Sequence, residues 1–160
     1  MKILKRLFYC FLALVLVVTS IAIYQESTSD SYVVDDIPGG YQVTFSGKPD
    51  KSLPRDWKVP YEAFYELKVS SMQNMHVYHM PEELTDDEID SELDVVNSIG
   101  VSPENVERFT SNGNRGVRYS ADIRKCLAIV IDRKHVVVLG AAGYGADEFI
   151  DSFKRSAAGQ

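Results

Sequence analysis

The sequence predicts an α+β domain: a mostly antiparallel sheet covered by one long and one short helix, preceded by an N-terminal membrane helix or signal. Three observations predict it. Segments that alternate apolar and polar residues recur along the chain, and most are joined by links too short for a parallel crossover. One stretch, Thr85 to Gly100, carries helical periodicity with its own start and stop signals. The first 24 residues are a hydrocarbon-seeking run behind a basic start.

Lys2, Lys5 and Arg6 precede an almost unbroken apolar run, Leu7 to Tyr24, and the first acid is Glu26. A bilayer core about 30 Å thick needs roughly that length of helix. The run also exceeds the usual 7–15-residue core of a secretory signal. Residues 1–24 therefore read as a retained anchor or as a signal peptide, with Ser20 and Ala22 supplying small residues for cleavage after Ala22. Positive charge before the run puts the N-terminus inside in either case. The remainder is expected to face the periplasm or the extracellular side, held at the membrane if residues 7–24 stay in it and secreted if they are removed. Cys10 follows bulky Leu7-Phe8-Tyr9 and precedes the apolar run, which does not fit lipid attachment.

Beyond the leader lie 136 residues with 14 bases against 23 acids, a net charge of −9 with histidines neutral. That length suits one domain with one core. Its acidity argues against nucleic-acid binding, which needs basic charge to displace counterions. Cys126 is the sole cysteine after residue 24, so no internal disulfide can form. It sits in the apolar run Cys126-Leu127-Ala128-Ile129-Val130-Ile131, where a buried, inert thiol is the simple expectation.

Gln25 to Gly39 is polar, lacks periodicity and reads as a tether, with the domain spanning residues 40–156. Tyr41 to Phe45 alternates as a first strand and turns at Gly47-Lys48-Pro49. Lys51 to Pro60 is a loop with two prolines and Trp57. Ala63, Tyr65, Leu67 and Val69 alternate against Glu62, Glu66 and Lys68 as a half-buried strand, with Met75 to Met80 its hairpin partner. Thr85-Asp86-Asp87-Glu88 is a capping box, and Ile89, Leu93, Val96 and Ile99 form one apolar stripe ended by Gly100. Val106 to Thr110 leads into the hairpin connection Asn112-Gly113-Asn114-Arg115-Gly116. Val117, Tyr119, Ala121 and Ile123 then alternate against Arg118, Ser120, Asp122 and Arg124. Leu127 to Ile131, a turn at 132–135 and Val136 to Leu139 make a more buried hairpin, and Ala146 to Lys154 a short closing helix with Phe149, Ile150 and Phe153 inward. Tyr65, Leu67, Val69, Ile89, Leu93, Val96, Tyr119, Ile129, Val137 and Phe153 are expected to form one contiguous cluster.

Tyr41-Gln42-Val43-Thr44-Phe45-Ser46-Gly47-Lys48-Pro49 resembles the opening strand and glycine–lysine–proline turn of small exported domains with the PsbP-like fold. Glu148-Phe149-Ile150-Asp151-Ser152-Phe153-Lys154 resembles their closing helix, and the strand Gly116 to Ile123 fits the middle. The resemblance spans about residues 40–155 and implies a PsbP-like sandwich. Members include photosystem accessory proteins, a Ran-binding release factor and bacterial lipoproteins and anchored proteins. The resemblance implies an accessory role and carries no catalytic set and no cofactor.

Among candidate chemistries, His76 and His79 lie three apart on a strand, so their imidazoles point to opposite faces and do not share a metal ion. His135 falls on a turn. Gly140-Ala141-Ala142-Gly143-Tyr144-Gly145 precedes a helix and offers a weak anion turn at Gly143 and Gly145, without dinucleotide or P-loop spacing. The eight acids of Glu82 to Asp94 lack a calcium-loop pattern. Charge is split along the chain. Val69 to Glu107 has ten acids and no Lys or Arg, whereas Arg108 to Lys134 has seven bases against two acids. Arg108, Arg118, Arg124 and Lys125 are accordingly the candidate docking face for a protein, a lipid headgroup or an anionic polymer. No Gly-x-Ser-x-Gly, His-Glu-x-x-His or Cys-x-x-Cys occurs. A non-enzymatic accessory or binding domain is thus the leading expectation, and a small hydrolase using surface carboxylates the competing one.

Overall fold

Alternating segments with short links fold back on one another as hairpins. The computed structural model describes residues 30–52, 61–68, 72–97 and 105–156, and Ser31 onward forms a compact unit of its own. The order is β1 (Tyr32–Ile37), a 3₁₀ turn (Pro38–Gly40), β2 (Tyr41–Phe45), β3 (Asp50–Ser52), β4 (Tyr61–Lys68), β5 (Met72–His79), α1 (Asp86–Asn97), β6 (Val106–Ser111), β7 (Asn114–Ala121), β8 (Arg124–Ile131), β9 (His135–Ala142), α2 (Ala146–Asp151) and β10 (Lys154–Arg155). A seven-stranded sheet runs β3-β4-β5-β9-β8-β7-β6, and a three-stranded sheet runs β1-β2-β10. Every pairing among the described residues is antiparallel. The α+β assignment holds.

Helix α1 starts where its sequence says. The Thr85 N–H donates to Glu88 Oε2 at 2.7 Å, and the Glu88 N–H reaches Thr85 Oγ1 at 3.4 Å. The acids of its first turn, Asp86, Asp87 and Glu88, sit at the positive end of the helix dipole. Ile89 and Leu93 are buried; the side chain of Val96, and Ile99, Gly100, Val69, Trp57 and the leader, lie outside the described residues.

Six expectations need correction. Lys51 and Ser52, read as the start of a loop, pair with Tyr65 and Phe64 in β3. His135, read as a turn residue, opens β9 and pairs with His79 and Ile131. Residues 32–37, read as tether, form β1 and pair with β2, burying Val34 and Ile37. Their Asp and Ser neighbours mask a strand that is solvated on one face. The turn after β6 is only Asn112-Gly113, both at positive φ, and residues 114–116 already belong to β7. Ile123 does not continue β7. Ala121 pairs with Arg124, so Asp122-Ile123 is a two-residue turn, and Ile123 is 67 % exposed. The closing helix stops at Asp151, and Lys154 and Arg155 pair with Gln42 and Tyr41 as β10. Phe153 then stacks on Tyr41, with ring centroids 5.0 Å apart.

The core is two clusters, not one. On one face of the large sheet, Tyr65, Leu67, Met75, Val77, Ile129, Ile131, Val137 and Leu139 meet Val34, Tyr41, Val43 and Phe45 of the small sheet and Phe149 and Ile150 of α2. On the other, Ile89 and Leu93 of α1 cover Val117, Tyr119, Cys126, Ala128, Val130 and Val136. Strands β8 and β9 are therefore buried on both sides, which is why Cys126 to Ile131 is a continuous apolar run instead of an alternating one. Gly116 marks a close approach at the edge, where a Cβ would collide with the Phe109 ring.

Candidate functional site

Register settles where the nominated bases point. Partners directly opposite in an antiparallel pair share a face. Arg118 lies opposite Leu127, on the α2 side, whereas Arg108 lies opposite Val117 and Arg124 opposite Ala121, on the α1 side. Lys125, opposite Ser120, joins Arg118. The four bases do not form one face. Sequence alternation set Arg118 and Arg124 on one strand side because it ran β7 through the turn at Asp122 and Ile123.

Most of the bases are also engaged. Asp86, Asp90 and Asp94, at i, i+4 and i+8, line one flank of α1 and meet the basic segment there. Arg108 pairs with Asp94 and lies 3.7 Å from Asp90. Arg115 lies 2.8 Å from Asp86 and 3.1 Å from Asp90, and Arg133 2.7 Å from Asp86. The carboxyl of Asp86 is held below its ordinary range, chiefly by the hydrogen bond from Arg133 and the charge of Arg115. On the other face Arg118 lies 2.8 Å from Asp151, and Lys125 3.1 Å from Asp147. The charge split along the chain is thus mostly internal pairing between α1 and the strands. In each pair at least the carboxylate is solvent-exposed, which screens the attraction, so the network orients α1 more than it stabilises it.

The glycine-rich segment also resolves. Gly140 to Ala142 belong to β9, and Gly143 and Gly145 take φ of 91° and 79° to reverse the chain. Helix α2 has six residues and places Asp147 and Glu148 in its first turn, where an anion would have to sit. An anion turn is not favoured there.

One end of the large sheet gathers what the sequence scattered. Met72 and Arg124 both pair with Ala142, from opposite sides, and therefore share its face. The Gly143 N–H donates to the Ile123 carbonyl at 3.0 Å, which sets Tyr144 beside Ile123. Met72 is 62 % and Tyr144 86 % exposed. Arg124 and Lys125, two of the nominated bases, and Gly143 and Gly145 lie at this same rim. The β1 strand begins here too: Tyr32 pairs with Phe45, and the Ser46 N–H donates to Gln73 Oε1 at 2.9 Å. Sequence reading missed Met72, Ile123 and Tyr144 because each sits at a separate chain reversal. Isolated apolar turn residues carry no periodic signal.

Cys126, Tyr119, Tyr65 and Lys51 are all held in their protonated forms. The Cys126 thiol is pushed up to about 11 by burial, against the hydrogen bond from Tyr119. The Tyr119 hydroxyl is held up to about 12, first by burial and then by the charge of Cys126. In a groove between β1 and β3, Tyr65 donates to Asp36 at 2.6 Å and Lys51 Nζ also lies 2.6 Å from Asp36. Burial and Asp36 raise Tyr65, and the hydrogen bond to Asp36 raises Lys51, so both stay protonated at neutral pH. The trio ties the small sheet to the large one. His76 lies on the α1 side of β5 and His79 on the opposite side, as strand alternation requires.

No family model matches the chain, and no curated protein is similar to it in sequence. Among solved structures, the solution structure of cyanobacterial PsbP (CyanoP) from Synechocystis sp. PCC 6803 is similar, with a TM-score of 0.50 and 12 % identity. The match covers 80 % of this chain and 94 % of that one. The fold is PsbP-like. At this identity the likeness speaks for architecture: the layered sheets and helices are shared.

Proposed function

We propose that this PsbP-like domain is a non-enzymatic accessory module on the non-cytoplasmic side of a membrane. It docks a partner protein through the rim formed by Met72, Ile123, Arg124 and Tyr144. The observation that carries the reading is the convergence of three exposed large apolar side chains beside an arginine at one end of the sheet. Scattered apolar residues are ordinary on a surface, but aromatic, Met and Arg side chains grouped together are the composition of an interface centre. The acidity of residues 25–160, −9 overall, repels anionic headgroups and favours a protein over a lipid surface. The basic start and apolar run of residues 1–24 support delivery to the membrane.

A photo-crosslinking residue at position 144 of the full chain, expressed in cells of its own source, tests this. A discrete protein adduct is expected at position 144 and not at position 92 on α1, and Ile123→Ala with Arg124→Glu should remove it. Equal labelling at both positions, or an adduct indifferent to those substitutions, refutes the rim. Labelling of phospholipid alone would assign the rim to membrane contact and sink the protein-partner reading.

A further inference from the structure

At the other end of the sheet from Tyr144, three side chains on three neighbouring strands converge. His79 closes β5 and His135 opens β9, and the two are direct partners in the antiparallel register, so their imidazoles share a face. His79 Nδ1 lies 3.0 Å from His135 Nε2. Glu62 Oε2, from β4, lies 3.5 Å from the same His135 nitrogen. The three ligand atoms all fall within 4.8 Å of one another.

Alternation alone would aim Glu62 elsewhere. It precedes Ala63, which faces the small sheet together with Val77 and His79, so a regular strand would turn Glu62 to the α1 side. The register shows why it does not. Tyr61 pairs with Tyr78 and Ala63 with Val77, so β4 uses two steps where β5 uses one. Glu62 is the extra residue of a β-bulge, the irregularity that re-aims a side chain within a sheet.

We propose that Glu62, His79 and His135 bind one divalent transition-metal ion of the zinc class. Zinc bound by imidazole nitrogen and carboxylate oxygen takes bonds of about 2.0–2.2 Å, so neighbouring ligands of a tetrahedral ion stand roughly 3.3–3.5 Å apart. The two separations at His135 bracket that spacing, and rotation of the exposed Glu62 carboxylate closes the third. Two nitrogens and one oxygen select zinc, cobalt, nickel or copper over calcium and magnesium, which demand oxygen shells. Three protein ligands with solvent beyond them leave a fourth position for water. The backbone ladder of β4, β5 and β9 holds the ligands in place before the ion arrives.

The structure also bounds the affinity. An ion on His135 Nε2 fixes the ring proton on Nδ1, and that atom is buried without a hydrogen-bond partner among the described residues. Partners of this kind are worth about 10–100-fold in metal affinity. The site should therefore bind zinc with a dissociation constant on the order of micromolar, well short of a structural zinc site. This site is independent of the rim at Tyr144.

The full chain, purified in detergent and stripped with chelator, is titrated with Zn²⁺ against a fluorescent zinc indicator and separately with Co²⁺ in the visible range. One Zn²⁺ per chain and cobalt d–d bands of a four- or five-coordinate ion are expected, unaffected by millimolar Mg²⁺. His79→Ala and His135→Ala should each weaken binding by about 100-fold or more, and Glu62→Gln by roughly 10-fold. His76→Ala, three residues away on the other face, should leave binding unchanged. Because His79 is exposed at a strand end, its variant should keep the parent urea midpoint, so lost binding can be told from lost folding. Absence of saturable binding at about 100 µM Zn²⁺, or binding that survives His79→Ala, would overturn the site.

Discussion

Helix α1 and helix α2 lie on opposite faces of one sheet, so substitutions under each should act independently. Leu93 is 1 % and Ile150 2 % exposed, in separate clusters. Leu93→Ala removes three carbons, which at about 0.8 kcal/mol each gives roughly 2.4 kcal/mol of lost transfer energy. A partly collapsed cavity at about 24 cal/mol per Å³ adds up to roughly 1.5 kcal/mol, for a total of about 2.5–4 kcal/mol. Ile150→Val removes one methyl and should cost about 0.5–1.5 kcal/mol. Urea unfolding of the full chain, the two single variants and the double variant measures both costs and their sum. With a sheet layer between them the costs should add within about 0.5 kcal/mol, and the exposed control Ser91→Ala should change stability by less than that. A coupling of about 1 kcal/mol or more would mean that the two sites share one cluster, and the two-faced core described above would be wrong.

In a Cys10→Ser chain, the buried Cys126 thiol, pushed up to about 11, should resist a disulfide exchange reagent at pH 8 in the native protein and react at once in denaturant; rapid native labelling of that chain would contradict its burial. Lys51 and Tyr65 hydrogen bonds hold the Asp36 carboxyl below its ordinary 3.8, outweighing the opposing effect of burial. The stability Asp36 contributes is therefore complete above about pH 4 and disappears as pH falls through its lower folded value. Asp36→Asn should accordingly narrow the stability gap to the parent as the pH is lowered from 6 to 3, and a constant gap would refute the assignment. Asp132 and Arg133 both take positive φ, 49° and 57°, in the β8–β9 turn. Arg133 is tied down by Nε to the Leu84 carbonyl at 2.9 Å and by Asp86. Asp132→Gly should thus stabilise by a few tenths to about 1 kcal/mol, whereas Arg133→Gly loses those bonds and should not.

Local chemistry in the sequence determined the α+β class, the capping box at Thr85 and Glu88, the strands β2, β4, β5, β7, β8 and β9, and the Asn112-Gly113 reversal. Each is a property of a few adjacent residues: a period, a hydroxyl three positions before a carboxylate, a residue that tolerates positive φ. The resemblance of Tyr41–Pro49 to a PsbP-like opening strand was legible for the same reason. What depended on pairing was not. Whether Arg118 and Arg124 share a face turns on the two-residue reversal at Asp122. Whether Asp86, Asp90 and Asp94 face solvent turns on which strands lie beside α1. The core divided in two because β8 and β9 sit mid-sheet with a layer on each side, and periodicity within one strand does not say what covers it. Met72, Ile123 and Tyr144 met at one rim, and Glu62, His79 and His135 at the other, through cross-strand register and a single bulge. Those are relations between residues 17 to 73 positions apart along the chain. Backbone hydrogen bonding across the sheet creates them, and no local pattern encodes them.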